Sequence, residues 1–362
     1  MSKIGWGVVG YGVIGKNHAR AAHMVPDAEL VAVCDIDPKR EKVLREHGFK
    51  VPFYTSLKEM LRKEPRLQAV SICTPSGLHY RGALEAARAG RHVLSEKPLD
   101  ITLDHMDRMI EGCDKAGVKL GCIFQKRTTV SSLLAKKALQ KKMLGKLLLG
   151  DCSQKYYRSP AYYRTADWRG TWKLDGGGAL MNQAVHGIDL LLWLMGDVES
   201  VFTYSGTLVR KIEVEDTSIS VVRFKSGAFG NIIGTTSVVP GQGCRTEIHG
   251  ERGTIKLLED GELFCRIGKE VKGVHKHEEV DLHKVLGGKK VAVKTKKGPT
   301  VASDNTALEL GGHAKQVQDF CEAIKRNRNP MITGPDARRA VELILAIYKS
   351  WKTRKEVKLP LK

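Results

Sequence analysis

The 362-residue chain has no low-complexity tract and no uninterrupted apolar run of about 18 residues. Nor does it open with a basic segment leading into an apolar one. These absences argue against a disordered chain, a spanning helix and a secretory leader. The expectation is a soluble, cytoplasmic protein. Cysteines stand at 34, 73, 113, 122, 152, 244, 265 and 321, with no C-x-x-C among them. Several lie in strand-like apolar runs, so buried thiols are expected rather than disulfides. His275, His277 and His283 lack zinc-ligand spacing, and no metal site is expected.

Acids are in short supply. Sixty Lys and Arg face 40 Asp and Glu, for a formal charge of +20. Nucleic acid is one partner for such a charge. The lysines are spread along the chain, however, often beside glutamates. The densest run, 284–298, has six lysines, no acid and no aromatic on which a base could stack. It reads as an exposed loop or hairpin. No nucleic-acid or membrane partner is expected, and the charge suits an anionic small molecule.

What is present is ordinary globular composition, 42% hydrophobic and 28% charged, in a chain long enough for two domains. The apolar run "IGWGVVG" leads into "GYGVIG", so Gly10, Gly12 and Gly15 form a G-x-G-x-x-G. A helical stretch follows, then the strand-like "AELVAVCD" ending at Asp35, 20 residues after Gly15. In that setting the glycines read as a dinucleotide fingerprint. Gly10 permits the tight turn, Gly12 the approach of a pyrophosphate, and Gly15 close helix–strand packing. The helix start, with Val13 and Ile14, turns N–H groups toward phosphate. Asp35 accepts from ribose hydroxyls and repels a 2′-phosphate, which favours NAD over NADP. Lys39 and Arg40 partly offset that.

Strand and helix alternate through about residue 125, which implies a doubly wound parallel sheet. Thr74, Pro75, His79, Glu96 and Lys97 fall at its ligand-binding edge, the carboxyl ends of the strands. Pro98 restricts Lys97 before it. Beyond 127 come a helix, a strand, the run 176–196, several strand-like segments and two closing helices. In an α-helix over 176–196, positions 182, 186, 189 and 193 share one stripe, and 180, 184, 188, 191 and 195 lie opposite. Asn182 and His186 would project together.

The stretches "GVVGYGVIGKNHARAA", "VAVCDIDP", "SICTPSGLH", "HVLSEKPL" and "GGGALMNQAVHGIDLLLWLMG" together resemble the glucose–fructose oxidoreductase / inositol dehydrogenase (Gfo/Idh/MocA) family. The resemblance covers nearly the whole chain. It implies a Rossmann domain over residues 1–125 with NAD as cofactor. It also implies an α/β domain over 126–362 with a large, open, mostly antiparallel sheet that forms much of a subunit interface, hence a dimer or tetramer. Lys97, His186 and Asn182 would be the catalytic residues. His186 would take the substrate hydroxyl proton, and Lys97 would steady the developing alkoxide. Asp189 would anchor the helix or orient His186. Many family members carry Asp where this chain has Asn182.

Residues 155–189 are similar to the UDP-N-acetylglucosaminuronate 3-dehydrogenase branch. Arg158, Tyr162, Tyr163, Arg164, Trp168, Arg169 and Trp172 offer cations and aromatic faces for an anionic nucleotide sugar. Arg169, Tyr163, Trp168 and Asn182 are the expected substrate contacts. The alternatives are an inositol or simple-sugar dehydrogenase and a non-catalytic dinucleotide-binding regulator.

Overall fold

The β-branched run "IGWGVV" forms a strand whose six residues are all buried, Ile4–Val9 (β1), as a central parallel strand requires. In the computed structural model, which describes residues 2–259, 261–271, 274–287 and 310–361, β1 sits inside the first of two compact units. That unit holds the chain up to Gln125, the short piece Lys173–Gly176, and the stretch from the helix Leu310–Lys325 through Val341. The second holds Lys126–Trp172, the described residues from Gly177 to 287, and the chain from Glu342 on.

Among the described residues, the first unit's strands are β1, β2 (Ala28–Cys34), β3 (Phe53–Tyr54), β4 (Ala69–Ile72), β5 (His92–Ser95) and β6 (Leu120–Cys122). Their order is β3-β2-β1-β4-β5-β6, all parallel. The order reverses at β1/β4, the switch point where doubly wound sheets bind ligands. Helices Val13–Met24, Arg40–Glu46, Leu57–Lys63, His79–Arg88 and Leu103–Lys115 make the crossovers. Residues 310–341 differ from the expected boundary at 125/126. The helix Leu310–Lys325 belongs to the first unit for a packing reason. Phe320 meets Trp6 edge-on at 5.9 Å, and Val317, Phe320 and Cys321 share the core with Val8, Tyr11 and Val33. Polar ties add to this, from Gln316 to the Cys122 carbonyl and from Lys325 to Asp27.

The second unit's strands are β7 (Leu147–Lys155), β8 (Val198–Gly206), β9 (Thr217–Phe224), β10 (Phe229–Thr235), β11 (Gly243–Gly250), β12 (Gly253–Leu258), β13 (Leu263–Val271), β14 (Val274–Glu279) and β15 (Val357–Lys358). Their order is β14-β13-β12-β11-β7-β10-β9-β8-β15. Only the β7/β10 pair is parallel among the described pairings. The run after Gly178 lies against the sheet. A Cβ on Gly187 would meet the Cys152 sulfur at 2.6 Å, and one on Gly150 would meet Met195. On β8, β9 and β10, Tyr204, Ile219, Val221 and Phe229 are exposed. Residues 284–286, read as loop or hairpin, close the short helix Leu282–Leu286 behind an Asp281 cap. The remainder of that reading, 288–298, lies outside the described residues. No described helix is long and apolar enough to cross a membrane. All eight cysteines are buried and outside any disulfide.

Candidate active site

The glycine turn sits at the carboxyl end of β1. Gly10 has φ +90°, which side chains rarely adopt, and a Cβ there would strike the Cys73 carbonyl at 2.7 Å. A Cβ on Gly15 would lie 1.9 Å from the Gly10 carbonyl, so the helix packs on the turn only because Gly15 has none. At Gly12 nothing lies within 4 Å of the Cβ position. That open cradle stands at the start of the helix Val13–Met24, which has no side-chain cap. Asp35 ends β2 with both oxygens held: the Tyr11 amide donates to Oδ2 at 2.6 Å and the Asp37 amide to Oδ1 at 2.9 Å. Arg40 pairs with Asp37 at 3.6 Å, and Lys39 is exposed. An open backbone cradle, unsatisfied helix N–H groups and a fixed carboxylate at the next strand end fit a dinucleotide.

The loops after β4 and β5 are tied together. His79 is buried and its ring nitrogens bond the carbonyls of Pro98 (2.8 Å) and Thr74 (2.9 Å). Lys97, half-buried, follows Glu96, and the Lys97–Pro98 bond is cis. Glu96 is itself buried. Its Oε2 accepts the Lys97 amide at 3.0 Å, and its Oε1 faces His18 Nε2 at 2.8 Å. His18 Nδ1 meets the Ser71 hydroxyl at 2.8 Å, which accepts from Trp6 Nε1 at 2.9 Å. Burial would raise the Glu96 pKa. The His18 hydrogen bond, with His313 3.3 Å away, outweighs it and holds the carboxyl well below its usual range. Burial pushes His18 down. A neutral His18 donating to a carboxylate satisfies both directions. Among the described residues, His18, Glu96 and His313 are the group with metal-ligand spacing, within 4.8 Å of one another. Glu96 Oε1 lies between the two imidazoles, 2.8 Å from His18 Nε2 and 3.3 Å from His313 Nε2. Glu96 and His79, expected at the cofactor edge, are both buried, and their bonds brace the loops that carry Thr74 and Lys97.

The run expected as one α-helix is a π-helix over Ala179–Ala184 and an α-helix over Val185–Met195. Glu215, fully buried, accepts from Gly178 N (3.0 Å), Leu180 N (2.8 Å) and the Tyr348 hydroxyl (2.9 Å), and its own carbonyl accepts from Ala179 N. Side-chain and backbone acceptors of Glu215 thus cap the first N–H groups of the run. Burial raises the Glu215 carboxyl to about 7. Over Ala179–Met195, only Asn182, His186 and Trp193 escape full burial. These are three of the four residues of the expected stripe. Asp189, its fourth member, is buried and held by Arg127 through Nε at 2.7 Å and Nη2 at 2.5 Å.

The aromatic and basic loop 155–172 is largely bonded to itself. Arg158 is buried against the Tyr156 and Tyr162 rings. Arg169 stacks on Tyr162 and Trp168 and donates to the Tyr162 hydroxyl. Tyr163 bonds Thr236, and Trp172 donates to the Glu213 carbonyl. Arg164 is exposed. His18, His313, Arg127, Gln183 and Glu215 were not singled out from the sequence. For Gln183, Glu215, Arg127 and His18 the partners lie 25 to 78 residues away, which no local spacing announces.

Strand order, glycine turn and acidic strand end define a dinucleotide-binding protein with a separate sheet-bearing unit. Residues 4–124 match the GFO_IDH_MocA oxidoreductase family with its NAD-binding Rossmann fold, and residues 132–256 match the GFO/IDH/MocA C-terminal domain. The chain belongs to this family: it is an NAD-dependent sugar or polyol oxidoreductase acting on a CH–OH group. It is 33% identical to the WlbA dehydrogenase of Bordetella pertussis, crystallised with NADH and UDP-GlcNAcA, over 99% of this chain and 100% of that one (TM-score 0.81). A WlbA from Chromobacterium violaceum, with the same two ligands, is 32% identical over 100% and 97% (TM-score 0.84). The myo-inositol 2-dehydrogenase of Thermotoga maritima is 29% identical over 98% of each chain.

Proposed function

We propose that this protein oxidises the C3 hydroxyl of a UDP-linked N-acetylhexosaminuronate. The observation that carries the reading is the 33% identity, end to end, to an enzyme crystallised with NADH and UDP-GlcNAcA. The surroundings of the family residues, each within its own unit, support the reading. Lys97 follows a braced carboxylate at a strand end, and Asn182 and His186 are the polar residues that a buried helix leaves partly exposed. His186 takes the hydroxyl proton, and Lys97 steadies the alkoxide by hydrogen bonding. NAD, when bound, supplies the hydride acceptor. The chain would hold it through the open cradle at Gly12, the turn of Gly10 and Gly15, the helix start at Val13 and Ile14, Thr74 and Pro75, and Asp35. Asp35 favours NAD over NADP. Arg169, Arg164, Tyr163 and Trp168 remain the candidates for the anionic sugar nucleotide. Arg158 is better placed to organise the site than to touch substrate, being buried.

The exposed Tyr204, Ile219, Val221 and Phe229 on one sheet face support a homo-oligomer. Buried thiols suit a reducing cytoplasm. A second reading, inositol oxidation, is favoured by the Thermotoga relative. Titrating the NADH-loaded protein calorimetrically with UDP-N-acetylglucosaminuronate and with myo-inositol separates the two. Heat from the UDP-sugar alone supports the first. Heat from myo-inositol alone sinks it.

A further inference from the structure

Glu96 is a buried carboxylate just past β5, and among the described residues the basic side chains paired with it are two imidazoles. His18 comes from the helix Val13–Met24 and His313 from the helix Leu310–Lys325, and all three belong to the first unit. The side chains of His18, Glu96 and His313 are 0%, 5% and 1% exposed. His18 is satisfied on both sides. Trp6 Nε1 can only donate, and it gives its hydrogen to Ser71 Oγ at 2.9 Å. The Ser71 hydroxyl is then free to donate to His18 Nδ1 at 2.8 Å, and His18 Nε2–H donates to Glu96 Oε1 at 2.8 Å.

His313 is not satisfied. Among the described residues neither ring nitrogen has a hydrogen-bond partner, and Nε2 stands 3.3 Å from Glu96 Oε1 but off the line of a hydrogen bond. Buried polar atoms left unpaired are few in folded proteins, and each calls for a partner. Gln316 Oε1, one turn further along the same helix, is a second buried atom of this kind.

We propose that His18, Glu96 and His313 form a binding site for a divalent transition-metal ion of the zinc class. One donor atom from each residue lies within 4.8 Å of the other two. Donors bonded to a tetrahedral zinc stand about 3.4 Å apart. Glu96 Oε1 and His313 Nε2 already have that spacing, at 3.3 Å. His18 Nε2, at 2.8 Å from Glu96, has only to draw back by about 0.5 Å. Two imidazoles and one carboxylate suit zinc, whereas calcium and magnesium take oxygen donors. Ser71 makes the exchange of proton for metal possible. To bind through Nε2, His18 moves its proton to Nδ1, and a hydroxyl accepts there as readily as it donates. Metal-bound imidazoles ordinarily give their other N–H to such a partner. An ion in this closed place would clamp the helix Leu310–Lys325 to the strand end that precedes Lys97, whichever sugar the enzyme oxidises.

The experiment uses the full chain, produced in zinc-supplemented medium and purified without chelator. Metal is counted by plasma mass spectrometry and its ligands are read by X-ray absorption at the zinc edge. One zinc per chain is expected, with a shell of nitrogen and oxygen that includes two imidazoles and no sulfur. Zinc-loaded protein should melt above zinc-free protein. His313→Leu, which keeps the site filled, should weaken zinc binding at least tenfold, and Ser71→Ala about ten- to a hundredfold. His275→Ala with His277→Ala should leave the count unchanged. Protein that stays free of zinc, even after dialysis against it, overturns the proposal. So does an adventitious ion only: zinc kept in His313→Leu, or lost in the His275/His277 variant. Should His313→Leu not fold, the wild-type absorption spectrum decides, and a shell without two imidazoles overturns the site.

Discussion

Replacing Asp189 with Ala should destabilise the second unit about as much as the largest single losses from its apolar core. Both partners of the Arg127–Asp189 pair are buried, Arg127 at 3% and Asp189 at 1% exposure. The two-pronged geometry, at 2.7 and 2.5 Å, satisfies both carboxylate oxygens. Removing the carboxylate leaves a guanidinium in a dry interior without the charge it was built against. Breaking such a pair costs about 3–5 kcal/mol. In a unit of this size each kcal/mol moves the melting temperature by about 2–4 °C, so the expected fall is about 6–20 °C. Calorimetry with near-UV circular dichroism measures it. The helix Val185–Met195 carries both Asp189 and His186, so turnover should fall at temperatures where the fold still holds. The paired change Arg127→Met with Asp189→Leu should recover most of the stability, because no charge is left behind. A fall of under about 2 °C for Asp189→Ala would refute this. The pair would then be no more than a surface-strength contact.

Glu215 predicts a pH dependence of stability. Its folded pKa, about 7, lies above the usual carboxylate value of 4.5. The folded state therefore holds the proton longer, and Glu215's contribution falls as pH rises from 4.5 to about 7, then levels off. The wild-type minus Glu215→Gln difference in melting temperature should shrink over that window; a difference independent of pH contradicts the assignment. Gly15→Ala should abolish dinucleotide binding and destabilise the fold, since its Cβ meets a carbonyl at 1.9 Å. Gly12→Ala should fold normally and lose only NADH affinity, read by fluorescence titration. Glu96→Gln gives up one acceptor, either for His18 or for the Lys97 amide. It should lower kcat and shift the pH profile of kcat/KM, and an unchanged profile means Glu96 is only a packing residue.

How much of this the sequence announced depends on how local each feature is. The doubly wound parallel sheet and the glycine turn were legible because such a unit repeats one strand–helix rhythm, and because Gly10, at φ +90°, and Gly15, against the Gly10 carbonyl, answer local backbone demands. The stripe of Asn182 and His186 was legible from polar residues at helical spacing in an apolar run. The cap on that run was not, because Glu215 reaches it from 35 residues away. The inward role of Glu96 was hidden for the same reason: its partner His18 is 78 residues distant. Arg158 read as a substrate cation. Only the fold shows it stacked on tyrosines and joined to Gln183. The helix Leu310–Lys325 read as part of the second domain, since an amphipathic helix does not say which core it covers.

The central claim is the substrate, and absorbance of bound nicotinamide tests it most directly. The purified protein is cleared of any bound NADH with 2-oxoglutarate and then given UDP-N-acetylglucosaminuronate, myo-inositol or free hexoses in separate cells. Return of the NADH band with the UDP-sugar alone, with a 3-keto product by mass spectrometry, is the predicted result. Return of the band with myo-inositol or a hexose and not with the UDP-sugar would contradict it.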